Sequence, residues 1–193
     1  MNKYIQPIII GVLAGVCGAI LIKMFVFPDG PLYIVYGLGI GAFFAYILSN
    51  LAGNKKVAAA GGAERQLAMG MRPPLGKSLL IPYREGFVAK LAGLNLALDG
   101  QEFVQLTSPK FACIAISPGR HTLTGAFGGF AGAQSKAASF DFDAPQGGVV
   151  VVRINARMGL VQGAVVFTPE TDLAAVKAKL DHFQMAASSP STL

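Results

Sequence analysis

Two kinds of hydrophobic pattern divide this chain. Residues 4–27, YIQPIIIGVLAGVCGAILIKMFVF, and residues 31–52, PLYIVYGLGIGAFFAYILSNLA, are apolar almost without interruption. From Ser78 onward the apolar stretches are short and punctuated by turn residues. A run of about 20 apolar residues predicts a bilayer-spanning helix, because a helix rises about 1.5 Å per residue. Between the two runs, FPDGP at 27–31 sets Pro and Gly around an Asp and predicts a tight turn. The pattern therefore predicts a transmembrane helical hairpin over residues 1–52. The first run is longer than the apolar core of a cleaved signal and leads into a second span, so it reads as an anchor. Val16 stands ahead of Cys17 where a lipoprotein signal needs a small residue.

Small residues recur every four positions within the runs: Gly11, Gly15 and Ala19 in the first, Gly37, Gly41 and Ala45 in the second. Such faces let helix backbones approach closely. They suit packing of the hairpin on itself or packing against other subunits, and the sequence leaves both open.

Residues 53–77 carry Gly-Gly and Pro-Pro and no long apolar period. They predict a linker, with a short helix near Ala63–Met69. Eight apolar stretches follow: 78–83, 93–99, 102–106, 111–116, 121–127, 138–144, 148–154 and 161–167. Their spacing, with turns such as Asp99-Gly100 and Pro118-Gly119, predicts an antiparallel β-sandwich. Leu94, Leu96, Leu98, Phe140 and Phe142 alternate toward a core, with Asp141 and Asp143 on the solvent side. Residues 168–183 place Thr168 as a helix cap and Pro169 at the first helical position. Leu173, Val176, Leu180 and Phe183 would form the apolar face of that amphipathic helix. The fold class expected is thus α+β: a membrane hairpin, a sandwich over 78–183 with a C-terminal helix, and a flexible tail at 184–193.

Composition fits this division. The 193 residues are 53% hydrophobic and 13% charged, against roughly 25% charged in ordinary soluble domains. The net charge of +6 is dispersed, with no basic run longer than Lys55-Lys56, so no nucleic-acid partner is expected. Lys55 and Lys56 instead suit an anionic membrane surface just past the second span. Lys3, Lys55, Lys56, Arg65 and Arg72 flank the spans on one side, whereas the turn itself has none and only Lys23 lies near it. The positive-inside rule then places both termini and the soluble domain in the cytoplasm, where an unpaired cysteine such as Cys113 is expected; Cys17 lies within the first span.

One ordered set of features carries a resemblance. Tyr83-Arg84 ends an apolar strand, LALDG (96–100) closes another, SPGRHTL (117–123) turns into a third, and GGVVVVRI (147–154) follows a Gly turn. A C-terminal helix completes the set. In these features residues 78–180 resemble the DUF2846-type bacterial domains. The resemblance implies a prealbumin-like sandwich and carries no activity with it. Relatives of that type are often exported lipoproteins, and the two-span anchor departs from that pattern.

Chemistry-bearing residues are few. His121 follows Pro118-Gly119-Arg120, and a catalytic role would need a carboxylate or nucleophile in reach. No GxSxG elbow occurs, and the loop GAFGGFAGAQSK (125–136) lacks the Gly-Lys-Ser/Thr of a phosphate loop. His121 reads as the start of a strand, with its ring bonded to backbone. His182 reads as a partner of a helix C-terminus. Phe127 and Phe130 in the Gly-rich loop are candidate contacts for a partner or the membrane surface. No cofactor or metal is expected. The function expected is a non-catalytic, membrane-anchored accessory or scaffold subunit of a larger assembly in a bacterial inner membrane, packing through its small-residue helix faces and docking through its β-sandwich, whose partners are other membrane subunits or copies of itself. The alternatives are a tethered ligand- or lipid-binding sensor and an enzyme using His121.

Overall fold

The computed structural model describes residues 5–28, 31–128, 132, 135–157 and 163–188, apart from the side chain of Asn50. The chain forms two compact units, Met1–Asn54 and Lys55–Leu193.

The first unit is a helical hairpin, α1 (Ile5–Phe25) and α2 (Leu32–Ala52). Both helices are long and apolar enough to cross a membrane. Pro7 lies in the first turn of α1, where backbone N–H groups have no partner within the helix. The turn end is lined with aromatics. Phe27 stacks on Tyr36 with ring centroids 5.8 Å apart. Lys23 lies over the Tyr33 ring at 5.1 Å.

The second unit is built on two sheets. Its strands are β1 (Ser78–Arg84), β2 (Leu94–Leu98), β3 (Gln101–Leu106), β4 (Lys110–Phe111), β5 (Ile114–Ile116) and β6 (Gly119–Phe127). Then come β7 (Ser135–Lys136), β8 (Ala138–Ala144), β9 (Val149–Arg157), β10 (Gly163–Glu170) and β11 (Gln184–Met185). One sheet runs β11-β4-β1-β9-β10-β7, with β5 also on β1; the other runs β3-β2-β6-β8. The shared core takes Leu80, Ile116, Val152 and Ile154 from the large sheet and Leu94, Leu96, Leu98 and Leu123 from the small one. The opposite face of the large sheet is covered by α3 (Gly62–Gly70) and α4 (Leu173–Leu180). There Ala68, Val176 and Leu180 meet Ile81, Tyr83 and Val151. Strand β1 is buried at all seven positions because it has a layer on each side.

Four expectations are corrected. The large sheet is mixed, since β1 and β9 pair in parallel from Leu79↔Val149 to Arg84↔Ile154. Local alternation sets which face a residue takes, not the direction of a strand whose paired residues lie 70 positions away. The expected strand 111–116 is two strands, β4 and β5, broken where Ala112 N donates to Pro82 O (3.0 Å). Thr168 and Pro169 belong to β10, which pairs with β9 as far as Glu170↔Val151. Sheet pairing outcompetes the helix start there, and α4 begins only after Asp172, whose carboxylate accepts from Ala175 N (3.0 Å). The first residues of the expected flexible tail are ordered, because Gln184 and Met185 pair with β4 and Ala186 is buried.

The expected linker is likewise folded from Lys55 onward. Ala60 N donates to Met185 O and Ala187 N to Ala58 O. Arg65 of α3 donates Nη1 to Phe183 O (2.7 Å) and Nη2 to Leu180 O and Asp181 O (3.2 and 3.0 Å). Its guanidinium also lies over the Phe111 ring at 5.4 Å. This arginine supplies donors to the carbonyls that the end of α4 leaves unpaired.

Candidate functional site

The two small-residue faces of the hairpin lie against each other. A Cβ added at Gly37 would sit 2.5 Å from Ala19 Cβ and 2.8 Å from Gly15 O. One added at Gly15 would sit 2.8 Å from Gly37 O. Gly11, Gly41 and Ala45 complete the seam, with the Gly11 position 2.6 Å from Ala45 Cβ. Glycine is required here by close backbone approach. Of the two uses the sequence left open, the hairpin takes packing on itself. The outward positions, among them Val12, Leu13, Ile20, Val35, Leu38 and Phe43, are large and exposed.

His121 meets the carboxylate that sequence reasoning did not find. The β2–β3 turn holds Asp99, a left-handed residue at φ 50°, with its Oδ2 2.6 Å from His121 Nδ1. His121 Nε2 is 2.8 Å from Ser117 O. Both partners accept, so this geometry favours the protonated ring, in which both nitrogens donate. Desolvation works against that charge, and the Asp99 and Ser117 hydrogen bonds outweigh it, so the His121 pKa is raised above its usual value. For Asp99 desolvation pushes upward and the bonds from His121 and Thr122 N overcome it, so its pKa is lowered. While protonated, the ring has no free lone pair with which to accept a proton from a substrate. The cluster ties the Pro118-Gly119 turn to the Asp99-Gly100 turn.

Phe127, the candidate contact residue, is half-buried against the core. Its partner Phe130 lies outside the described residues. Phe127 lies under Arg84, whose guanidinium carbon is 4.9 Å from the ring centroid. Arg84 is 1% exposed. Its Nη1 donates to Ala92 O and Leu106 O (2.5 and 2.8 Å) and its Nη2 to Ala89 O (2.5 Å). Burial pushes its pKa down to about 10, so it stays charged at neutral pH. Among the described residues its charge is met by a cation–π contact and three carbonyl acceptors.

Two of those carbonyls belong to the loop at 85–93, EGFVAKLAG. Lys90 N donates to Phe87 O (3.1 Å), Ala92 N to Ala89 O (3.0 Å) and Ser108 N to Lys90 O (3.0 Å). The loop is thus held at both ends and in the middle, and it exposes Phe87 to 88% and Leu91 to 61%. Sequence reasoning missed it, since it lies between strands and has no periodicity. The available signal was Phe87, Val88 and Leu91 between two glycines.

Other charges are engaged structurally. Lys55 Nζ pairs with Glu102, and its backbone N donates to Gln105 Oε1 (2.6 Å), while Lys56 is exposed. Glu85 pairs with Lys179 (3.0 Å) and Arg153 (3.5 Å), clasping α4 to the sheet. Arg153 Nε also faces Glu170 Oε1 at 3.0 Å, a charge contact without hydrogen-bond alignment. Burial pushes the Cys113 thiol up to about 12, which leaves it protonated and unreactive at neutral pH. Among the described residues no three His, Cys, Asp or Glu side chains gather to hold a metal ion. No protein-family model matches this chain, and no curated protein matches it.

Proposed function

We propose that this protein is a non-catalytic, membrane-anchored accessory or scaffold subunit of a larger membrane assembly. One observation carries the proposal. A hairpin closed by its own glycine seam, with large apolar side chains facing outward, is joined within two residues to a separately folded sheet unit. That combination suits an anchor that displays a docking surface. Because the seam is used internally, partners meet the bulky outer positions of α1 and α2 or the sheet unit, not the small-residue faces.

The hairpin spans the inner membrane of a bacterium, with both termini and the sheet unit in the cytoplasm. The distribution of Lys and Arg around the spans supports this orientation. The two sheets sharing one core support the sandwich description, while the resemblance of residues 78–180 to DUF2846-type domains rests on the ordered sequence features alone. Extraction from native membranes in mild detergent tests the assignment. The expected result is co-migration with a defined membrane partner. A monomer that carries no partner after cross-linking in the intact membrane would refute it. Reporter fusions at the C-terminus test the orientation.

A further inference from the structure

We infer that the loop 85–93 is a second membrane contact, in which Phe87 and Leu91 enter the lipid interface and Lys90 meets anionic headgroups. The inference rests on the hairpin spanning a membrane. Among the described residues of the sheet unit, only Leu67, Leu75, Phe87, Leu91 and Leu173 are large hydrophobics with high exposure. A lone exposed leucine is ordinary. A phenylalanine at 88% exposure beside a leucine at 61% on one short loop is less so.

Three observations give the loop its occupant. First, it is preorganised: buried Arg84 binds Ala89 O and Ala92 O, and Ser108 N binds Lys90 O. A rigid loop orders little on binding, so apolar side chains held in water gain their full transfer energy on entering lipid. Second, the chemistry is that of an interfacial anchor, an aromatic and an aliphatic tip with an exposed cation between them. The cation matches an anionic leaflet, and the chain's net charge of +6 has the same sign. Third, the tether is short. Helix α2 ends at Ala52 and the sheet unit begins at Lys55, a stretch that reaches about 10 Å at most. The surface always within reach of such a unit is the bilayer that holds its anchor.

The chain has no tryptophan, so single tryptophans report position cleanly. Phe87→Trp, Leu91→Trp and, in the hairpin, Phe43→Trp are made in the full chain. Each is placed in nanodiscs of phosphatidylcholine with or without phosphatidylglycerol. Unreactive Cys113 confirms that each variant is folded. The expected result is blue-shifted emission from Phe87→Trp and Leu91→Trp, quenched by lipids brominated near the headgroup and shielded from iodide. Phosphatidylglycerol should deepen the quenching, and adding Lys90→Glu should remove that gain. Quenching of Phe43→Trp but of neither loop reporter overturns the loop contact alone. Blue-shifted loop emission without bromine quenching means a protein covers the loop, and also overturns it. Absence of quenching at all three sites overturns the membrane assignment and the loop contact with it.

Discussion

The hairpin and the sheet unit solve opposite problems with the same residue types. In the hairpin the small residues are inside and the large ones outside: Gly11, Gly15, Gly37 and Gly41 make the seam, and Leu13, Leu38 and Phe43 face away. In the sheet unit the large residues are inside, with Leu80, Leu94, Leu96, Leu98 and Phe103 almost wholly buried. In water the area removed from solvent drives folding, so large side chains go in. Between helices in lipid that drive is absent and backbone approach and dispersion decide, so a hairpin with glycine inside suits the proposed membrane span. The two units also treat charge differently. The hairpin has almost none, whereas the sheet unit buries Arg84 outright and gives it three carbonyls.

That contrast predicts separable failures. The largest effect belongs to Arg84→Met, which keeps an apolar stem but leaves Ala89 O, Ala92 O and Leu106 O without their donor. A loss of about 3 kcal/mol or more is expected, since each buried unsatisfied carbonyl costs about 1–3 kcal/mol. Cys113 should become reactive to maleimide at lower urea while the hairpin stays closed. An unchanged urea midpoint would show that Arg84 is dispensable.

Gly15→Leu should do the reverse. It drives a side chain into Gly37 O and loosens the hairpin by about 1–3 kcal/mol, the usual overpacking range, with no change in Cys113 protection. Distances between spin labels on α1 and α2 check this. If they hold steady, the seam is not what closes the hairpin.

Arg65→Ala should cost the sheet unit about 1–2 kcal/mol, since it removes donors from three carbonyls at the partly exposed end of α4. Hydrogen exchange should rise first in α4 and β11. A uniform rise would place the arginine's role elsewhere.

The smallest effect is at the histidine turn. The raised pKa of His121 means its contribution is complete below about pH 6.5 and is lost as pH climbs through the folded value. The lowered pKa of Asp99 means its contribution is present above about pH 3.8 and is lost as pH falls through its own folded value. The two turns are therefore tied most firmly between those limits. Histidine ring resonances in a pH titration should show His121 titrating above its ordinary value and moving down in Asp99→Asn. A His121 titration indifferent to Asp99→Asn would remove the pair from the account.

Much of this architecture is visible in the sequence because the relevant forces are local. Uninterrupted apolar runs mark α1 and α2, and alternation in LNLAL places Leu94, Leu96 and Leu98 in the core. Turn chemistry marks Asp99-Gly100 and Pro118-Gly119. The last helix was misplaced because a strand pairing with β9 overrode a good N-terminal signal at Thr168-Pro169. The site residues were legible only singly. His121 could be seen, but not Asp99 at the end of the neighbouring strand β2, and Phe127 could be seen, but not Arg84 lying over it.

The sequence by itself determined the two-unit division, the apolar spans, the small-residue faces and the core positions of most strands, since each follows from periodicity or composition within a few residues. Only the tertiary structure decided that the two glycine faces meet each other, that β1 and β9 run parallel, that residues 55–71 belong to the sheet unit, and that Phe87 and Leu91 are held out on a rigid loop. Each of these depends on segments far apart in the chain. Their pairing is set by which combination buries the most surface and leaves the fewest polar groups unpaired, a property of the whole fold and not of any stretch of it.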